Sequence, residues 1–160
     1  LSTVSSLPSK DAGGAVTMTE FLLFLHILLA ILLLGPLFLG HFVMPFALRR
    51  GRDLLPLARF LHVLESRVGP ATLLIAVVGI LLVEDIGFGY GDLWIWLSIV
   101  LVLVATVVGG ALIGPTEKAA IAAVESGASP SALIVRVQLL GLVNVAILIA
   151  ILWMMIDKPV

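Results

Sequence analysis

Apolar positions in this chain run in unbroken stretches, without the alternation of a half-buried strand or the one-sided stripe of a surface helix. Crossing a bilayer takes about 20 apolar residues at roughly 1.5 Å rise each. Four stretches meet that length, at about 21–48, 54–83, 93–114 and 134–156. The apolar core of the second begins only at Val68, but "LLPLARFLHVLESR" upstream reads as a helical lead-in that starts near Asp53 or Leu54. The first stretch is too long for a bilayer and should tilt, or bend where Pro36 and Pro45 each remove a backbone donor.

Between spans two and three, "EDIGFGYGD" reads as a short glycine hairpin. After span three, "TEKAAIAAVE" reads as a small separate helix, and "ESGASPS" as the turn into span four. The pattern predicts an all-α fold, a polytopic membrane four-helix bundle with a single domain over 18–160. Residues 1–17 read as a disordered N-terminal tail, and Met18 looks like a natural start, which N-terminal mass spectrometry would test.

Composition agrees with this pattern and adds a direction. The 160 residues are 61 % hydrophobic and only 12 % charged, with a mean hydropathy of +1.26, whereas soluble domains carry about a quarter charged residues. The first short loop holds Arg49, Arg50, Arg52, Arg59 and Arg67, and the third holds Lys118 and Arg136. The middle loop holds none, only Glu84, Asp85 and Asp92. Positive loops stay inside, so both termini lie outside, N-out/C-out, in a bacterial cytoplasmic membrane. Trp94, Trp96 and Trp153 fall near the outer ends of spans three and four, where an aromatic belt is expected.

Zero cysteines exclude disulfides, thiolate metal sites and thiol chemistry. A net charge of -1 with segregated charges gives no basic face for nucleic acid. The expected partners are the lipid bilayer and either a homo-oligomer or other membrane subunits.

Ionisable groups within a span are functional hypotheses by default. His26 lies about 9 Å below the outer edge and His41 about 12 Å above the inner one, counting 1.5 Å per residue. They lie about 22 Å apart along the helix and cannot share a ligand. His26 is either a ligand for haem or a metal, or a neutral group bonded to a backbone carbonyl, Asn144 or Gln138. His41 reads first as an interhelical bonding group, and His62 as an interfacial residue on a face laced by Arg59 and Glu65.

Haem b is the first cofactor to consider. Spans three and four lack histidine, so ligation would be by His26 or His41 alone, by His26 with Met154 near the outer end of span four, or across two subunits. Copper ranks below haem, since the chain has four methionines and no Met-rich repeat. No paired carboxylate is expected within a span, and Glu84 with Asp85 reads as a solvated loop. These residues assign no catalytic chemistry, and the reading leans away from an enzyme.

A first span of the form "FLHILLAILLLG", a basic stretch with "ARF" and a second span "VGPATLLIAVVGILLV" resemble bacterial four-helix membrane proteins of unknown function. Those are similar to the CopD-like copper-resistance and HemJ-type membrane proteins. The resemblance implies that His26 corresponds to the first-span histidine associated with haem or metal. Two features of the HemJ-type pattern are missing: Leu33 and Leu34 stand where a tryptophan precedes the glycine, and the nearby lysine, Lys118, lies outside a span. Three functions stay open: a haem-binding or redox-linked subunit using His26, a non-catalytic accessory subunit or scaffold, and a copper or small-solute transporter acting as an oligomer.

Overall fold

The computed structural model describes residues 16–88 and 91–157. All four apolar stretches form long helices: α1 (Met18–Arg49), α2 (Gly51–Ile86), α3 (Leu93–Ser126) and α4 (Ser131–Ile156). No strand occurs among the described residues. Of the predicted tail, residues 1–15 lie outside the described part. Thr17 caps α1: its hydroxyl accepts from the Glu20 N–H at 3.2 Å, and the Glu20 carboxylate accepts from the Thr17 N–H at 3.0 Å. This reciprocal pairing satisfies two N-terminal donors that would otherwise be unbonded.

Glycine ends α2 and α3. Gly87 (φ 81°) and Gly127 (φ 78°) adopt the left-handed conformation that stops a helix. The chain runs up and down, so the α1–α2 and α3–α4 connections share one end, the basic end. There Arg59 of α2 holds Glu125 of α3 at 2.7 Å, and Arg49 of α1 donates to Gln138 of α4 at 2.6 Å. At the opposite, hairpin end, Trp94 packs edge-on to Phe88 at 5.6 Å and is buried with Val83 and Ile95. Trp94 is thus withdrawn from the expected aromatic belt; Trp96 and Trp153 are exposed to the surroundings.

The predicted small helix after span three is not separate. "TEKAAIAAVE" continues α3 through Gly114 and Pro115. A proline has no N–H and clashes with the carbonyl four residues back, and α3 absorbs this with a widened π turn at Val108–Ile113. Alpha-helix α1 does the same at Ala30–Leu34, just before Gly35-Pro36. In α2 the Gly69-Pro70 pair gives a break at Thr72, whose hydroxyl bonds the Gly69 carbonyl at 2.6 Å. Only α4 runs without proline or break.

Packing is uneven along the bundle. The apolar core lies at the basic end, where Met44, Ala47 and Leu48 of α1 meet Ala58 and Leu61 of α2, Ala120, Ile121 and Val124 of α3, and Ile134 and Val137 of α4. Gly141 of α4 lies at its edge, against His41. A Cβ there would stand 3.3 Å from the His41 Cβ and 3.5 Å from the His41 carbonyl, which Pro45 deprives of its helical donor. A bulky residue would push α4 off α1. Gly141→Leu should therefore cost about 1–3 kcal/mol, measured as reduced resistance to unfolding in mixed micelles, with Gly109→Leu, which meets nothing within 4 Å, as the tolerated control.

Candidate functional site

Immediately on the hairpin side of the apolar core, each of the four helices contributes a buried polar side chain to one cluster. His41 comes from α1, Glu65 from α2, Glu117 from α3 and Asn144 from α4, all less than a tenth exposed. Burying such groups is costly unless they bond to one another. His41 Nε2 lies 3.0 Å from Asn144 Nδ2. With the amide in this orientation Asn144 donates, so a neutral His41 carries its proton on Nδ1. That nitrogen faces Glu65 Oε2 at 3.9 Å.

Glu65 owes its position to a glycine. A Cβ at Gly40 would fall 2.0 Å from Glu65 Oε1, so the carboxyl group occupies the space that any other residue at 40 would fill. From there Glu65 meets the side chain of Glu117. Glu117 is only 1 % exposed, and its Oε2 lies 3.0 Å from His62 Nδ1. His62 is the one partly open member, with a quarter of its side chain exposed. The order across the bundle is Asn144, His41, Glu65, Glu117, His62.

Two carboxyl groups in contact at a buried site need a proton or a counter-charge between them. The two flanking imidazoles can supply either. Glu65 Oε1, Glu117 Oε1, His41 Nδ1 and Asn144 Oδ1 are buried without a hydrogen-bond partner, so the cluster has unused bonding capacity. The structure thus overturns the expectation that no paired carboxylate lies within a span. Glu65 and Glu117 are far apart in sequence and each sits among charged neighbours, so each looks like part of a solvated face. Arg59 does not lace a face with His62 and Glu65; it turns to Glu125.

The other predicted residues lie elsewhere. His26 is packed on α2, where a Cβ at Gly79 would approach its Cε1 to 3.1 Å and its Nδ1 to 3.5 Å, with the Ile75 backbone close by. His26 Nδ1 is buried without a partner. Met154 is buried on α4, a helix that packs on α3 and on the Gly35–Arg49 part of α1. His26, in the Met18–Leu29 part, packs instead against Leu73–Ile86 of α2. Among the described residues, no group of three or more His, Asp or Glu side chains is arranged to hold a metal ion.

A family model of predicted integral membrane proteins, DUF2269, matches residues 20–159. The chain belongs to that family. Comparison with curated proteins and with solved structures returned no match. The match takes in the four helices of this DUF2269 chain, except for the first two residues of α1, and every residue of the buried cluster.

The seat of Glu65 gives a test of the cluster. Gly40→Ala should displace the carboxyl group and destabilise the protein by about 1–3 kcal/mol. Removing the obstructed group in Gly40→Ala/Glu65→Ala should recover most of that loss. A double-mutant cycle on unfolding would then read a coupling of about 0.5–3 kcal/mol, and a coupling near zero would show that residue 40 does not seat Glu65.

Proposed function

We propose that this DUF2269 chain handles protons in the membrane, taking them up at His62 and passing them through Glu117 to Glu65, which His41 steadies. The observation that carries this reading is the approach of two buried carboxyl groups to each other, with an imidazole on either side. Ionisable groups kept in an apolar bundle mark ion pathways and proton relays. A carboxyl pair that shares one proton passes it internally without changing the pair's net charge. His41 stands 3.9 Å from Glu65, just beyond bonding distance, with its Nδ1–H facing the carboxyl group, so it stabilises the Glu65 carboxylate once the proton has left. Asn144 holds the ring in that tautomer by donating to Nε2.

The same reading places the basic end, and with it His62, on the cytoplasmic side of a bacterial membrane, following the arginine distribution. Four spans with lipid-facing apolar surfaces suit a homo-oligomer or a subunit among other membrane proteins. The chain acts as a non-enzymatic carrier in this reading.

A second reading follows from the resemblance to the CopD-like and HemJ-type proteins: a haem or copper held by His26, with His41 or Met154 as a further ligand. The unpartnered Nδ1 of His26 supports it. The close backing of that nitrogen by Gly79 leaves an incoming group little space, which is why protons come first. A purified, coloured protein whose Soret band disappears in His26→Ala would reverse this ranking.

The test of the proton reading is flux into liposomes carrying a pH-sensitive dye. Protein-loaded vesicles should take up protons faster than empty ones under an imposed potential. Glu65→Gln and Glu117→Gln should each lower that rate by about a hundredfold, the lower end of what a positioned proton-transfer group contributes. Equal rates in loaded and empty vesicles, or no effect of either substitution, would exclude the relay.

A further inference from the structure

The Gly-Pro pairs of the first three helices lie at nearly one level. Gly35 precedes His41 by six residues, Gly69 follows Glu65 by four and Gly114 precedes Glu117 by three. At 1.5 Å per residue these are about 9, 6 and 4.5 Å from the buried cluster, all toward the hairpin end. The π turns Ala30–Leu34 and Val108–Ile113 both pack against the Leu55–Ala71 part of α2, which agrees with a common level.

The bundle changes character at that level. On the basic side all four helices pack together around the apolar core. On the hairpin side they divide into two pairs. Met18–Leu29 of α1 packs on Leu73–Ile86 of α2, and Leu93–Val107 of α3 packs on α4. Among the described residues these pairs meet chiefly at the hairpin that joins α2 to α3, through Val83, Trp94 and Ile95.

Within the α1–α2 pair the two helices are tied together. The His26 ring packs against Gly79 midway along, and the Thr19 hydroxyl donates to Asp85 near the tip. The pair is therefore braced along its length and jointed at its base. Gly35 and Gly69 have open space around them, since a Cβ at either would meet nothing within 4 Å. They are not close-contact glycines, so their place at the joints is not required by packing.

We infer that the α1–α2 pair is an arm that swings on Gly35-Pro36 and Gly69-Pro70 and opens the His41–Glu65–Glu117 cluster toward the hairpin side. Its purpose rests on the proton reading, because a relay entered through His62 at the basic end needs a second access to pass protons across the membrane. Unbroken α4, with α3 packed along it, is the fixed part. His26 is a positioning residue in this scheme, one that makes two helices move as one. The arm from Thr19 to Gly35, seventeen residues, is about 24 Å long. A change of about 20° at a proline kink moves its tip by about 8 Å.

The chain has no cysteine, so paired spin labels can be placed freely. Leu81→Cys on α2 and Leu152→Cys on α4 are exposed positions on opposite pairs. Their distance distribution in lipid nanodiscs should show two populations separated by about 6 Å, since Leu81 lies twelve residues, about 18 Å, beyond Gly69. Gly35→Ala with Gly69→Ala fits without a clash and stiffens both joints, so it should collapse the two populations into one and lower proton flux about tenfold. Pro36→Ala with Pro70→Ala, which restores the missing donors, should do the same. A single population in the starting protein, or two that persist in both stiffened variants, would overturn the arm. Glu117→Gln separates the two readings, because it should abolish flux and keep both populations. Two populations without any flux would retain the arm and discard the relay.

Discussion

Burying a carboxyl group among apolar helices is the constraint to which the rest of this structure answers. Such a group needs a partner and a shaped space, and here glycine supplies the space. Gly40 leaves the position that Glu65 Oε1 occupies, and Gly141 lets α4 lie against His41, so that Asn144 can reach its ring. Each glycine thus places a polar contact between two helices. In a membrane, helices gain little from hydrophobic association with one another, so close approach and interhelical hydrogen bonds decide how they pack.

The same economy explains why the bundle has two tiers. Toward the basic end the helices carry small residues and alanines, approach closely and form one core. Toward the hairpin end they carry large apolar residues that face outward, and two helix pairs suffice. Gly-Pro steps mark the border in three helices, each with its own local repair: a π turn in α1, a threonine-bonded break in α2 and a second π turn in α3. Straight α4 crosses the border and gives both tiers a common axis.

His26 and His41 look alike in the sequence, each a lone imidazole in an apolar run. Their surroundings in the fold separate them. His26 packs against Gly79 of one neighbouring helix, whereas His41 belongs to a cluster drawn from four helices. The chemistry of the site depends on Glu65 and Glu117, residues whose sequence neighbours are arginine, lysine and serine. Glu65 stands four residues from Leu61 and Glu117 four from Ile121, both core residues. That helical spacing is the one local sign that the two carboxylates point inward.

By itself, the sequence determined that this is an all-helical membrane protein with four spans, turns at its glycines and charge gathered at one end. Those properties follow from composition and local periodicity, which act over at most a few turns of helix. It also supplied the glycines and prolines of the joints, without saying that they lie at one level. Only the tertiary structure brought together residues up to about a hundred positions apart, His41 with Asn144 and Glu65 with Glu117. The reason is physical. Whether a charged residue on an amphipathic helix faces water or a partner depends on what packs against it, and that is a property of four helices together.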